Sequence, residues 1–184
     1  MNWSEEKIAR VLSTSIFENK YVMTIPNCNW TGYESDLFAV TEQLKIVDFE
    51  IKISRSDLKA DAKKDKWWHR GYDVGAQEYV EKKLEHPRKV WKHYYVMPAE
   101  IWSDDLYEAI PANSGVIVLK EGHSVQYGKV CGASLLRRAK PNRDAYVLNK
   151  HQVMNIARLL QYRTWVALRK LDGAHEQSSV GGGL

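Results

Sequence analysis

Within Lys45–Ile53, the run from Val47 to Ile53 alternates without a break. In an extended strand Val47, Phe49, Ile51 and Ile53 fall on one face, and Asp48, Glu50 and Lys52 fall on the other. No helix sorts these residues, because a rotation of about 100° per residue mixes the two sets within a turn. The chain must therefore build a sheet with one apolar face under cover, while three charged side chains line the opposite row. Glu34–Thr41 reads as the preceding strand, with Glu34 and Asp36 together at its beginning, just after Trp30-Thr31-Gly32-Tyr33. The short link Glu42-Gln43-Leu44 predicts a hairpin. Four carboxylates and one ammonium then converge: Glu34, Asp36, Asp48, Glu50 and Lys52.

Clustered carboxylates repel one another and raise one another's pKa unless a cation lies between them. Oxygen ligands from neighbouring strands suit a hard cation such as Mg²⁺, and a lysine alongside orients an attacking water. This is the chemistry of phosphodiester hydrolysis.

The rest of the chain supplies the elements such a sheet needs. Asn2 and Ser4 offer N-caps to a helix that carries Ile8, Val11, Leu12 and Ile16 at helical spacing and ends near Glu18. Lys20–Ile25 reads as a first strand closed by Pro26-Asn27-Cys28-Asn29. Ser56 caps a helix over Asp57–Trp68 with Leu58, Ala62 and Trp67 inward. Residues 70–89 are expected to form a variable insertion or flap with a short helix at Gln77–Leu84. Val90–Met97 follows as a strand, Pro98–Ile110 as a helix, Gly115–Lys120 as a strand and Ser124–Val130 as an edge strand. Asn149 caps a terminal helix with Val153, Ile156, Leu160, Ala167 and Leu171 inward and Gly173 just past its end. The expected organisation is a single domain over 1–173 and a tail over 174–184.

The 184 residues suffice for a core without disulfides, and Cys28 and Cys131 lack metal-site spacing. No apolar run approaches the ~18 residues of a membrane span, and the acidic start Ser4-Glu5-Glu6 does not resemble a secretory signal, so a cytoplasmic protein without a membrane partner is expected. The formal net charge is +4, but it is unevenly spread: Gly122–Leu171 holds ten basic residues against the single acid Asp144, a net +9. Such a block points to a polyanion, with aromatics Tyr127, Tyr146, Tyr162 and Trp165 interleaved. Arg137, Arg138, Lys140, Arg143, Arg158 and Arg163 are the candidate DNA contacts there, with Lys59 and Lys63 of the second helix beside them.

Glu-x-Lys also occurs at Glu5, Glu18 and Glu81, so the spacing alone carries little. At Glu50 it falls on a predicted strand, fourteen residues after Asp36, within the order helix, three strands, helix, strand. In that setting the chain resembles the PD-(D/E)XK nuclease superfamily, Asp36 matching the first acidic position and Glu50-Ile51-Lys52 the second element. Gly32–Asp36, Glu50–Asp57 and Asp61–Lys64 are similar to its small phage and bacterial branch, which includes the MmcB-like DNA-repair proteins. Ser35 stands where the superfamily often has proline.

The resemblance implies an α/β fold with a restriction-endonuclease-like αβββαβ core: a mixed central sheet flanked by helices, followed by C-terminal strands and a long terminal helix. It implies that Asp36, Glu50 and the Ile51 carbonyl hold Mg²⁺ or Mn²⁺ and that Lys52 positions the attacking water, leaving 5′-phosphate and 3′-hydroxyl ends. Glu6, with Glu5 as the alternative, is the candidate helix-one acid, and Glu34 and Asp48 are further auxiliary candidates. The expected activity is a metal-dependent DNase of phage or bacterial DNA processing, recombination, repair or restriction, for which double-strand cutting calls for a homodimer. A non-catalytic DNA-binding module on the same fold and an enzyme acting on RNA or a nucleotide-like small molecule are the alternatives.

Overall fold

The computed structural model describes residues 3–61, 63–73, 75, 77–124 and 128–180, leaving aside the side chains of 73, 123, 124, 128–130 and 173–180. Helix α1 (Glu5–Val11) starts where Ser4 Oγ accepts from the Lys7 N–H at 3.2 Å, and it passes into a π-helical turn over Leu12–Ile16. Strands β1 (Met23–Cys28), β2 (Ser35–Val40) and β3 (Ile46–Ile51) follow, then helix α2 (Arg55–Asp61). A two-stranded ribbon, β4 (Trp68–Asp73) and β5 (Glu78–Lys83), precedes β6 (Lys92–Pro98), β7 (Gly115–Ser124), β8 (Gly128–Arg137) and helix α3 (Lys150–Val180). The core αβββαβ order is the one expected, with the ribbon inserted before its last strand.

Six strands form a mixed sheet in the order β1-β2-β3-β6-β7-β8. The first three are antiparallel, β3, β6 and β7 run parallel, and β8 returns antiparallel. Two apolar layers cover it. Ile8, Ala9 and Leu12 of the first helical segment pack on Leu37, Ala39, Val47, Phe49 and Ile51. On the other face Leu58 of α2 and Trp67 pack with Tyr95, Met97, Val116 and Val118. The charged row of β3 thus lies under α2, and all six residues of β3 are buried.

Several local expectations are corrected. The first strand lies three residues later than predicted and includes Pro26, which cannot donate to a ladder and is accommodated in an edge strand such as β1. Ser54, rather than Ser56, caps α2: its Oγ accepts from the Asp57 N–H at 3.2 Å. The helix expected at Gln77–Leu84 is strand β5, and Pro98–Ile110 is two 3₁₀ segments, Ala99–Ile101 and Asp104–Ala109. The predicted edge strand Ser124–Val130 is split between the end of β7 and the start of β8, and its residues 125–127 lie outside the described set. Residues 1–147 and 148–184 form two separate compact units. In the second, α3 continues through Gly173 to Val180, and Leu171, expected inward, is exposed. Among the described residues no helix is long and apolar enough to cross a membrane.

Candidate active site

The hairpin of β2 and β3 pairs Leu37 with Phe49 and Phe38 with Asp48. Its ladder stops there, and the next residue, Asp36, uses its side chain instead: Oδ2 accepts from the Ile51 N–H at 2.7 Å. This anchor fixes the carboxylate beside the end of β3. Burial first, and the charge of Glu50 second, push the Asp36 pKa up to about 7. Asp36 also lines a cleft of about 550 Å³ between α1 and β1, together with Glu5, Glu6, Arg10 and Thr24. Both candidate helix-one acids therefore face the cleft, and Glu5 is the one whose charge bears on Asp36.

Glu50 is 1% exposed and is held by three ammonium groups. Lys52 Nζ lies 2.8 Å and Lys64 Nζ 2.6 Å from Oε1, and Lys66 Nζ lies 2.6 Å from Oε2. The same lysines meet Asp61, at 3.5, 3.1 and 3.2 Å, and Lys52 also reaches Asp57 at 3.3 Å. Asp61 accepts from Trp67 Nε1 at 3.1 Å and from the Tyr95 hydroxyl. Burial opposes its ionisation, but Lys66 and these donors outweigh burial and hold its pKa below the usual carboxylate range. The same balance raises Lys52, where contact with Glu50 overcomes desolvation. Such pairs persist in a dry site only because nearly every oxygen is matched by a donor.

Further along the row, Asp48 is fully buried, accepts from the Tyr33 hydroxyl at 3.1 Å and lies 3.8 Å from His93 Nε2. Burial pushes its pKa up to about 6 and drives that of His93 well down, leaving a neutral imidazole whose Nδ1 sits 3.0 Å from Ser114 Oγ.

The structure thus brings Asp36, Glu50 and Lys52 together, as the alternation predicted. Asp48 belongs to the buried interior of the row, and Glu34 is exposed beyond the start of β2. Lys59 and Lys63 are exposed on and just after α2, and Arg138, Lys140 and Arg143 are exposed on the first unit. Arg137 is a correction: its guanidinium donates to the carbonyls of Ser114 at 2.8 Å and Pro111 at 2.9 Å and covers the Tyr107 ring, so its fork is spent on the fold. Arg158 and Arg163 stand on α3. Sequence reasoning missed Asp61, Lys64 and Lys66 as members of the cluster. Lys66 is 1% exposed and serves Glu50. Its one signal is position, directly before the buried Trp67.

Asp36 presents an oxygen ligand to the cleft, and Glu50, whose charge raises Asp36, would become a second one only where a hard divalent cation takes the place of its ammonium partners. Among the described residues no three His, Cys, Asp or Glu side chains form a ready cage. A cation would therefore rest on these two, the Ile51 carbonyl and water.

The chain is similar over nearly its whole length to a solved structure. That protein, from Silicibacter pomeroyi, is of unknown function; identity is 19% over 94% of this chain and 97% of that one, with a TM-score of 0.55. The likeness establishes the α/β fold. No family model matches the chain, and no curated protein matches it.

Proposed function

We propose that this chain is a Mg²⁺- or Mn²⁺-dependent deoxyribonuclease of the PD-(D/E)XK type that hydrolyses DNA phosphodiester bonds in the cytoplasm of a bacterial cell or a phage-infected host. The observation that carries the reading is that Asp36 and Glu50 stand at the same end of adjacent strands, Asp36 tied to the Ile51 N–H directly after Glu50, with the Lys52 ammonium on Glu50. A bound divalent cation would supply Lewis-acid polarisation of the phosphoryl oxygen and an acidified water. The residues of the chain do the rest. Asp36 is fixed by the Ile51 N–H, so its free oxygen is pre-positioned. Lys52, seated among Glu50, Asp57 and Asp61, contributes fixed positive charge next to the reacting phosphate. Lys64, 47% exposed, is the ammonium of the cluster that opens to solvent. The exposed basic side chains Lys59, Lys63, Arg138, Lys140 and Arg143 then supply backbone contacts to DNA.

One observation favours a second reading, a non-catalytic DNA-binding module on the same fold: three ammonium groups already compensate Glu50. Incubating supercoiled circular and linear DNA, single- and double-stranded, with Mg²⁺ or Mn²⁺ separates the two. The nuclease reading predicts nicking by the parent and none by Asp36→Ala. Salt-sensitive binding without cleavage in both proteins would replace it with the binding module.

A further inference from the structure

A second concentration of charge lies at the other end of β3. Lys92 opens β6 opposite Val47, near the start of β3, whereas Glu50 and Ile51 close that strand. There a cleft of about 450 Å³ is lined by Lys20, Lys92 and Arg138 and by the rings of Tyr21, Trp91 and Tyr94. Lys92 Nζ sits 4.4 Å from the centre of the Trp91 ring, and Lys20 Nζ sits 5.7 Å from that of Tyr21. The Tyr94 ring is stacked on Phe49 at 5.5 Å, so the aromatic wall is anchored in the core. Among the described residues none of these three cations is paired with a carboxylate, and Glu42 is the only acid that lines the cleft. Burial, followed by repulsion from Arg138 and Lys20, lowers the Lys92 pKa. Three like charges are thus gathered, one of them partly dehydrated, against the single carboxylate of Glu42.

We propose that this cleft is a binding site for a phosphate ester of a nucleoside, as a free nucleotide or as one residue of a strand. Lys92 and Arg138 hold the phosphate oxygens, with Lys20 completing the positive rim, and the nucleoside packs against the aromatic wall. The site is separate from Asp36 and Glu50 and does not depend on the nuclease reading.

The test is an NMR titration in EDTA, with no divalent cation, following the Trp91 indole N–H, assigned through Trp91→Phe. The probes are inorganic phosphate, 5′-AMP and a short oligothymidylate. The expected result is a saturable shift with 5′-AMP, and an affinity roughly tenfold weaker in Lys92→Gln and in Arg138→Gln, neither of which disturbs a buried residue. A shift with the oligonucleotide as well as the mononucleotide, or with only one of them, identifies the source of the phosphate. No shift with any probe, or affinities unchanged in both variants, overturns the proposal. Inorganic phosphate binding as tightly as 5′-AMP overturns the aromatic half of it.

Discussion

Replacing Lys66 by methionine tests the physical account of the buried cluster. The substitution keeps the length and most of the apolar stem but removes the ammonium that lies 2.6 Å from Glu50 Oε2 and 3.2 Å from Asp61 Oδ2. Both carboxylates are at most 1% exposed, so water cannot take the place of the lost donor. Leaving one partner of a buried pair uncompensated costs about 3–5 kcal/mol. For a chain of this size, at about 2–4 °C per kcal/mol, Lys66→Met should lower the melting temperature by about 6–20 °C. The assay is thermal denaturation followed by circular dichroism, with Arg70→Met as the control. Arg70 makes contacts of similar length, 3.0 Å to Asp65 and 2.8 Å to Glu81, but all three side chains are about half exposed, so the control should melt with the parent. Adding Asp61→Asn to Lys66→Met should recover part of the loss, because the surplus negative charge is then smaller. If Lys66→Met is as stable as Arg70→Met, the cluster is not the dry, charge-matched assembly described here.

Three other perturbations have defined outcomes. The Asp36 pKa is raised from 3.8 to about 7 in the folded chain, so its contribution to stability is present in acid and lost as pH rises through 7. Asp36→Asn, which keeps the acceptor for Ile51 N–H, should therefore exceed the parent in stability at pH 8 by up to about 4 kcal/mol, a difference that vanishes towards pH 4 in a denaturation series. The same protonation competes with cation binding, so Mn²⁺ affinity measured by calorimetry should weaken steeply below pH 7. Gly115→Ala would place a Cβ 2.3 Å from the Tyr94 ring and 2.8 Å from the Ala139 nitrogen, and the overpacking should cost about 1–3 kcal/mol or more by denaturant titration.

What was legible in the sequence tracks which segments bury one face. Strands β2 and β3 were readable because Leu37, Ala39, Val47, Phe49 and Ile51 alternate against a single apolar layer. The ribbon β4–β5 was not, because it has no such layer: β5 exposes every residue except the half-buried Val80, so no period of two is written into it. Among the described residues of β8, Gly132 to Leu136 lie exposed at the sheet edge, and they left equally little pattern. Gly173 suggested a helix end, yet glycine within a helix costs only about 1 kcal/mol and α3 runs past it. At the site, Asp36, Glu50 and Lys52 were legible from strand register. Lys63, Lys64 and Lys66 look alike in sequence, and only tertiary packing decides that the first is exposed, the second half exposed and the third sealed against Glu50. Arg137 was misread for the same reason, since carbonyls contributed by the distant Pro111 and Ser114 capture it.

The most direct test of the central claim is single-turnover cleavage of end-labelled DNA by the parent and by Asp36→Asn with Mg²⁺ or Mn²⁺, after both are shown to be folded. The account predicts metal-dependent cleavage by the parent that leaves 5′-phosphate and 3′-hydroxyl ends and is abolished in the variant. Equal cleavage by both proteins, or cleavage that persists in EDTA, would contradict a phosphodiesterase centre built on Asp36 and Glu50.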